Sequence, residues 1–549
     1  MFQNLTNRFQ ALPAGGRDAV ACLLLALAVF AVYANVYHGD FIFDDVLLIS
    51  RNQYLRDWRH LPDIFTHLNY AGAGMEGAFY RPVEMLLRLA LYQLFGLSKP
   101  AFHAVNVLLQ ALNAGLIYWL GRKLGFAPGA VFSAALLWSV HPLHTQNIAL
   151  MSSTAEPLWT AFGLMGLLAF VYRDSAAILF FLLALGCKET AIVFPALAVA
   201  CLFISSDADD RLKPALYART WPFWLLLAVY AVTYMHFNDF HPFKGTYATF
   251  PDLETYAANI FSRLLTCLAT LPAYLGLIVY PTNLHMERVF PVFTSVFSWQ
   301  VLAGAALAAG ALAQIILGKG KRGLFLSFGL FWFAAALSPL TGILIPIDYK
   351  ISEGWMYVPL IGLFLGVAQT LAVWIGGMKS KTAPVIAAAA VALMALLFGI
   401  KTYSQNDVYQ TPATFYENIL RCGGYHTRAY QNLGNYYWKE GEFDKAIESY
   451  KLAFKNPDQG DIIPASLHYQ IALAYLRVTL DENYVPKSDS LMEALPQVTH
   501  IPEAVDELNQ ALKADPGFEP ARALLGAIND WQAKRMFMHP AGSSYLFRK

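Results

Sequence analysis

Apolar residues in this chain gather in long unbroken runs and seldom alternate with polar ones. Runs long enough, or nearly long enough, to span a bilayer as helix lie at about 17–36, 101–120, 127–141, 155–172, 175–188, 189–206, 219–236, 298–317, 323–339, 355–377 and 383–401. The pattern predicts about eleven spans. The first follows Arg8 and Arg17 and shows no small-residue cleavage site, so it reads as a retained helix. The basic connections are Gly121-Arg122-Lys123, Arg173, Arg211 to Arg219, "GKGKRG" at 318–323 and "MKSK" at 378–381. An N-terminus inside puts all of them on the cytoplasmic side, so the expected topology is N-in, C-out.

Two segments resist the count. Residues 258–280 are long enough to cross, but a crossing there would invert every later loop and export "GKGKRG"; the expectation is a re-entrant or broken pair around Pro272. "VEMLLRLALYQLFG" from Val83 is short and carries Glu84 and Arg88, which predicts an interfacial helix inside a first external loop of 37–100. The topology then gathers one set of polar loops on a single face: 37–82, "HPLHTQN" at 141–147, "CKET" at 187–190, 237–257, "YPTNLHMERVF" at 280–290 and "IPIDYKISEGWMY" at 345–357. One outward-facing cavity is the simplest use of them.

After Lys401 the pattern turns amphipathic. "AYQNLGNYYWKEGEFDKAIESYKLAFKNPD" matches the helix-turn-helix tetratricopeptide repeat (TPR), with Leu433, Gly434 and Tyr437 on one helix, Ala446, Tyr450 and Ala453 on the next, then Pro457. A second unit starts at Ser466 and resumes, after an insertion of about 20 residues, at Ala504; a capping helix follows from Pro520. The expected domains are 1–403, within the membrane, and 404–549, an α-helical TPR domain outside it.

Composition agrees with the pattern. Of 549 residues 57% are hydrophobic and 14% charged, against about a quarter charged in soluble domains, and the mean hydropathy is +0.41. The fold class is therefore all-α and polytopic. A net charge of +1 without a basic tail gives no reason to expect a nucleic-acid partner, and the five cysteines form no disulfide framework or zinc spacing.

Candidate chemistry starts at Asp44 and Asp45, which sit in "HGDFIFDDVLLISRN" just after the first span. Neighbouring side chains do not share a face, so one acid can enter the cavity while the other holds backbone. The plainer reading is that they solvate the end of the first helix and cap the next element. Apolar surroundings favour function, because a partly desolvated carboxylate binds protons more strongly and suits a general base facing an alcohol. His141 and His144 are three apart but have no third ligand nearby, so no metal is predicted there; capping, or hydrogen bonding to sugar or acceptor, is the expectation. A divalent cation on Asp44 and Asp45 ranks below metal-free chemistry. Tyr349, Trp355 and Tyr357 flank Glu353, an arrangement on which a sugar ring could stack.

Several motifs taken in order carry a resemblance. "FIFDD", "FYRPVEML" at 79–86, "FHAVNVLLQALNAGLIYWL" at 102–120, "WSVHPLHTQNIALMSS" at 138–153, "KET" at 188–190 and the carboxy-terminal repeats together resemble the TMTC family, membrane O-mannosyltransferases of the GT-C superfamily that use a polyprenyl-phosphate sugar. The resemblance implies a GT-C helix bundle in which Asp44 is the base or orienter of the acceptor hydroxyl and Asp45 its support. An inverting displacement also needs positive charge on the departing phosphate, which Arg81 and Lys188 would supply. The duller alternatives are that Arg81 snorkels to headgroups and that Lys188 pairs with Glu189 or a lipid. His141, His144, Glu189, Glu353 and Tyr357 would be supporting or substrate-binding.

The implied partners are an isoprenoid-phosphate sugar, membrane lipids and an acceptor protein whose Ser or Thr hydroxyls the repeats present; the outer face is a periplasm or an endoplasmic-reticulum lumen, and the short loops and compact N-terminus favour a bacterial inner membrane with the site in the periplasm. The chain departs from the family's "HPxHTE" followed by Gly-Arg at Gln146, Ser153 and Thr154, and from "ERxLYLP" at Gly354. Two alternatives stay open: glycosylation of a lipid or glycan, and a transporter with a docking domain. The second is disfavoured because no inverted repeat is visible and the acids cluster on one face.

Overall fold

The computed structural model describes residues 13–75, 79–207, 209–211, 213–237, 256, 258–347, 349–455, 464–477 and 500–538. They form two compact units that divide between Phe415 and Tyr416. Nine helices among the described residues are long and apolar enough to cross a membrane, and three shorter apolar ones accompany them. The chain is an all-α polytopic membrane protein.

In the first unit the helices are α1 (Ala14–Val32), α2 (Pro82–Phe95), α3 (Lys99–Lys123), α4 (Pro128–Ser139), α5 (Ala155–Val171), α6 (Ala176–Cys187), α7 (Phe194–Ser205), α8 (Trp221–Phe237), α9 (Ile260–Val279), α10 (Trp299–Leu317), α11 (Gly320–Leu337), α12 (Pro359–Gly376) and α13 (Ala383–Asn406). Proline opens α2, α3, α4, α7, α12 and α13 in the first turn, where its missing N–H costs nothing. Polar side chains deep in the bundle are spent on backbone groups that irregular turns expose. Gln110 donates to the Ser139 carbonyl (3.0 Å), Asn113 to Pro157 (2.9 Å), and Asn106 to Ile148 and Leu150 (3.3 and 3.1 Å).

One end of this bundle is tied together by such contacts. Asn35 donates to the Asp407 carboxylate (2.8 Å), Asn406 to the Val32 carbonyl (2.9 Å), Trp138 to the Tyr357 carbonyl (2.8 Å) and Trp332 to the Val358 carbonyl (3.0 Å). The ends of α1, α4, α11 and α13 and the start of α12 thus share a face, here the site end. The basic connections lie toward the other ends of the same helices.

One expectation about elements is corrected. Residues 260–279 form one unbroken helix, α9, with Pro272 inside it. Both ends of α9 belong to the site end: Arg263 donates to the Ile343 carbonyl (3.0 Å), just beyond α11, and His141, just beyond α4, bonds the Ile278 carbonyl (3.0 Å). The 15-residue interval between these anchors is about 22 Å of helix, so α9 lies across that end and adds no crossing. Its burial is one-sided, with Leu265, Ala269 and Tyr274 against the protein and the apolar Ile260, Phe261, Leu264 and Leu275 exposed, an outer face suited to lipid.

Proline removes the N–H that would bond the Leu268 carbonyl. Gly304 of α10 packs its bare Cα against that carbonyl, leaving no room for a side chain. Helix α2, expected as an interfacial helix, is too short to span and buries both of its charges against the protein: Glu84 is fully buried and Arg88 only 1% exposed.

The second unit contains α15 (His426–Lys439), α16 (Phe443–Lys455), α17 (Pro464–Arg477), α18 (Ile501–Ala514) and α19 (Glu519–Met538), with α14 (Pro412–Cys422) spanning the division. Gly434 lets the Tyr450 ring lie directly on α15, and Ala446, Tyr450 and Ala453 pack with Leu467, Ile471 and Ala474. Ala504, Leu508 and Ala511 pack with Ala521 and Ile528 of the last helix. Most of the expected insertion lies outside the described residues.

Candidate functional site

Phe43 has φ +50, a left-handed conformation that a bulky side chain rarely adopts. It sits at the tip of a tight turn closed by the Asp45 N–H on the Ile42 carbonyl (2.9 Å), and the Ile42 N–H bonds back to the Asp45 carboxylate (3.1 Å). The same carboxylate accepts from the Ser152 N–H at 2.5 Å. Asp45 is fully buried, and burial pushes its carboxyl up to about 7 despite the hydrogen bonds from Ser152 and Ile42. The turn holds Asp44 only half-buried, and the Tyr70 hydroxyl hydrogen-bonds it. The two acids therefore have different surroundings: one is enclosed, the other accessible.

Tyr70 also lies within electrostatic reach of Arg81 and Arg88. Arg81 sits over the Phe79 ring and donates from Nε and Nη2 to the two oxygens of Glu189, at 3.0 and 2.8 Å. Lys188 pairs with Glu156, where the sequence alternative had it pair with Glu189. Each candidate phosphate cation is thus already matched with one carboxylate. Tyr230 and Tyr234 of α8 lie within electrostatic reach of the Arg81–Glu189 pair.

The remaining candidates form a second group on the α4–α12 side. His141 is fully buried, its Nδ1 accepting from the Leu143 N–H (3.2 Å) and its other ring nitrogen bonding Ile278. Burial lowers its pKa to about 4, and the neutral ring caps the short turn 142–144. His144, also fully buried, clusters with the Trp138 and Tyr357 rings, 4.9 Å from each centroid. The Tyr357 hydroxyl donates to Gln110 at 2.5 Å. Glu353 accepts from the His285 N–H (2.8 Å) and from Arg288 (2.7 Å), and burial holds its carboxyl up at about 7. An open cavity of about 410 Å³ reaches Arg288 through Tyr280, Thr282 and Asn283. Among the described residues no cluster of three or more His, Cys, Asp or Glu could hold a metal.

Tyr70, Arg288 and the α8 tyrosines escape a reading of the sequence. Glu84 and Arg88 leave a signal there: two charges four residues apart on an otherwise apolar helix.

No family model and no solved structure matches the chain. Curated relatives do. A Caenorhabditis elegans protein O-mannosyl-transferase is 24% identical over 79% of this chain and 62% of its own length. Human protein O-mannosyl-transferases TMTC1 and TMTC4 are 25% and 22% identical over 80% and 78% of this chain and 55% and 65% of theirs. The chain is TMTC-like. It spans roughly 55 to 65% of the length of these relatives.

In this TMTC-like chain two of the departures from the family motifs are neighbours. The Asn147 amide donates to the Gly354 carbonyl at 2.9 Å, and a Cβ on Gly354 would stand 3.3 Å from the Gln146 side-chain oxygen. At the two neighbouring positions where the resemblance leads one to expect glutamate and arginine, this chain has an uncharged amide and a glycine.

Proposed function

We propose that the chain is an inverting GT-C glycosyltransferase that moves a sugar, mannose by analogy with its relatives' names, from a polyprenyl-phosphate carrier to Ser or Thr hydroxyls of a protein on the extracytoplasmic face. One observation carries the reading: Tyr70 bonds the accessible Asp44 and lies within electrostatic reach of Arg81, so an acid and a phosphate-binding cation share one neighbourhood. Asp44 takes the proton of the acceptor hydroxyl while the hydroxyl oxygen attacks the anomeric carbon, the bond from that carbon to the phosphate oxygen breaks, and the carrier phosphate leaves toward Arg81 and Lys188. Glu189 engages Nε and Nη2 of Arg81, so phosphate either uses Nη1 or displaces the carboxylate.

Helix α7 begins a few residues beyond Lys188, and with α10 and α11 it lines an apolar cavity of about 230 Å³ through Ala200, Phe203, Ile315, Phe328 and Phe331. An isoprenoid chain suits that lining.

The test is transfer from polyprenyl-phosphate mannose to a Ser/Thr peptide by the full chain in nanodiscs. Asp44→Asn should lower kcat by about 100-fold or more, the usual worth of a general base, with thermal stability kept. Full activity in that variant would defeat the base assignment.

A further inference from the structure

Asp45 is too enclosed to react, yet it is what shapes the turn that presents Asp44. Its own support can be traced one step further. The Ser152 residue that donates its N–H to Asp45 (2.5 Å) also accepts, at its carbonyl, a hydrogen bond from Nη2 of Arg88 (2.6 Å). The same Nη2 pairs with Glu84 one helical turn earlier on α2, and Met85 Sδ lies 3.9 Å from Nη1.

A pair buried this completely is a poor stability device, because desolvating two charges offsets most of their attraction. Part of this one stays unmatched: Arg88 Nε and Glu84 Oε2 find no hydrogen-bond partner. What the guanidinium adds beyond the pair is the grip on the Ser152 carbonyl. That residue belongs to a single 3-10 turn, Met151–Thr154, which leads into α5 and is short enough for a side-chain anchor to matter.

We propose that Arg88 is a positioning residue: held by Glu84, it fixes the Ser152 carbonyl and so the backbone of that residue, whose own N–H, in the preceding peptide, orients Asp45 and thereby sets the turn that aims Asp44. The order is Glu84, Arg88, the Ser152 backbone, Asp45, then Asp44. Only the kinetic arm of the test below rests on the proposed transfer reaction.

Arg88→Met alone would strand Glu84 as a buried, unpaired carboxylate and could unfold the helix, so the decisive variant removes both charges. Glu84→Leu with Arg88→Met replaces the pair by apolar side chains, a change that buried pairs commonly tolerate. Hydrogen–deuterium exchange on the full chain in nanodiscs then reads the Ser152 and Ile42 amides directly. In the double variant exchange should quicken across 42–46 and 150–154 and stay unchanged across 426–455.

In the transfer assay kcat should fall about 100-fold, the scale of an ångström's misplacement, while the KM for polyprenyl-phosphate mannose moves less than about twofold. Arg88→Lys, which keeps a donor for the Ser152 carbonyl, should retain more activity than the double variant.

Unchanged exchange at 42–46 and 150–154 would overturn the proposal. So would quickened exchange with wild-type kcat, because the link from Asp45 to Asp44 would then carry nothing. If the wild-type chain transfers no sugar, the proposed function fails by itself and the exchange result alone decides whether Arg88 anchors the turn.

Discussion

Asp44 and Asp45 are neighbours in sequence and opposites in environment, and that difference is a matter of single hydrogen bonds. Burial raises Asp45 from 3.8 to about 7, and Glu353 from 4.5 to about 7. A carboxyl whose folded-state pKa is raised binds its proton more tightly folded than unfolded, so it favours the folded state below the unfolded pKa. That contribution is lost as pH rises through the window from about 4 to about 7.

The first unit should therefore melt at progressively lower temperature as pH rises across this window and level off above it. Asp45→Asn should flatten part of the slope while losing the Ile42 contact, since an amide cannot accept at both oxygens. A melting temperature that climbs with pH through the window would contradict the burial of both acids. The sequence offered the pair and its apolar flanks. It could not say which acid was enclosed, because that depends on Ser152, 107 residues away in the chain.

At the scale of elements, hydropathy located the helices well, and it failed in expecting a break at Pro272, where the helix runs on unbroken. Helix α9 has the length and apolarity of a span; its orientation is set by Arg263 and Ile278 bonding loops that only the tertiary fold brings near. On helix α2 the charges Glu84 and Arg88 are visible in the sequence, but that both are buried as a pair is not.

Gly304 tests the α9 arrangement. Gly304→Ala should push α10 off the Leu268 carbonyl and cost about 1–3 kcal/mol, the usual scale of overpacking. Ala303→Gly, one position round the helix, should cost no more than about 1 kcal/mol, its helix-propensity penalty. Equal effects from the two would mean that α10 does not rest on the carbonyl freed by Pro272.

Gln146 and Gly354 pose a second element-level test. Gln146→Glu and Gly354→Arg should each destabilise the chain, one by adding an unpaired acid beside the buried 145–149 turn and the other by crowding Asn147. Together they should cost less than their sum by about 1 kcal/mol or more, the coupling expected of contacting residues. Additive losses in thermal unfolding would show that the two positions do not communicate.

Over the whole molecule, the sequence announced two kinds of chain, and the division falls between Phe415 and Tyr416, a little beyond the change in composition at Lys401. The repeat positions in the second unit were legible because Gly434 must be small for Tyr450 to pack on α15, a constraint written into one helix pair. The charge pairing in the first unit was not, because Arg81 meets Glu189 across 108 residues.

The two units are proposed to divide the work, chemistry in the first and acceptor binding in the second, and the division has a kinetic signature. A chain ending before Tyr416 would keep Asp44, Tyr70, Arg81 and Lys188, so its KM for polyprenyl-phosphate mannose should stay within about twofold of the full chain's. Its KM for a folded protein acceptor should rise by roughly tenfold or more, corresponding to about 1.4 kcal/mol of lost contact. A short peptide acceptor, too small to use a repeat surface, should be transferred equally well by both chains. Parallel loss for donor, peptide and protein would instead make the second unit a stabiliser of the first, and a melting curve of the shortened chain would show it as a lowered transition.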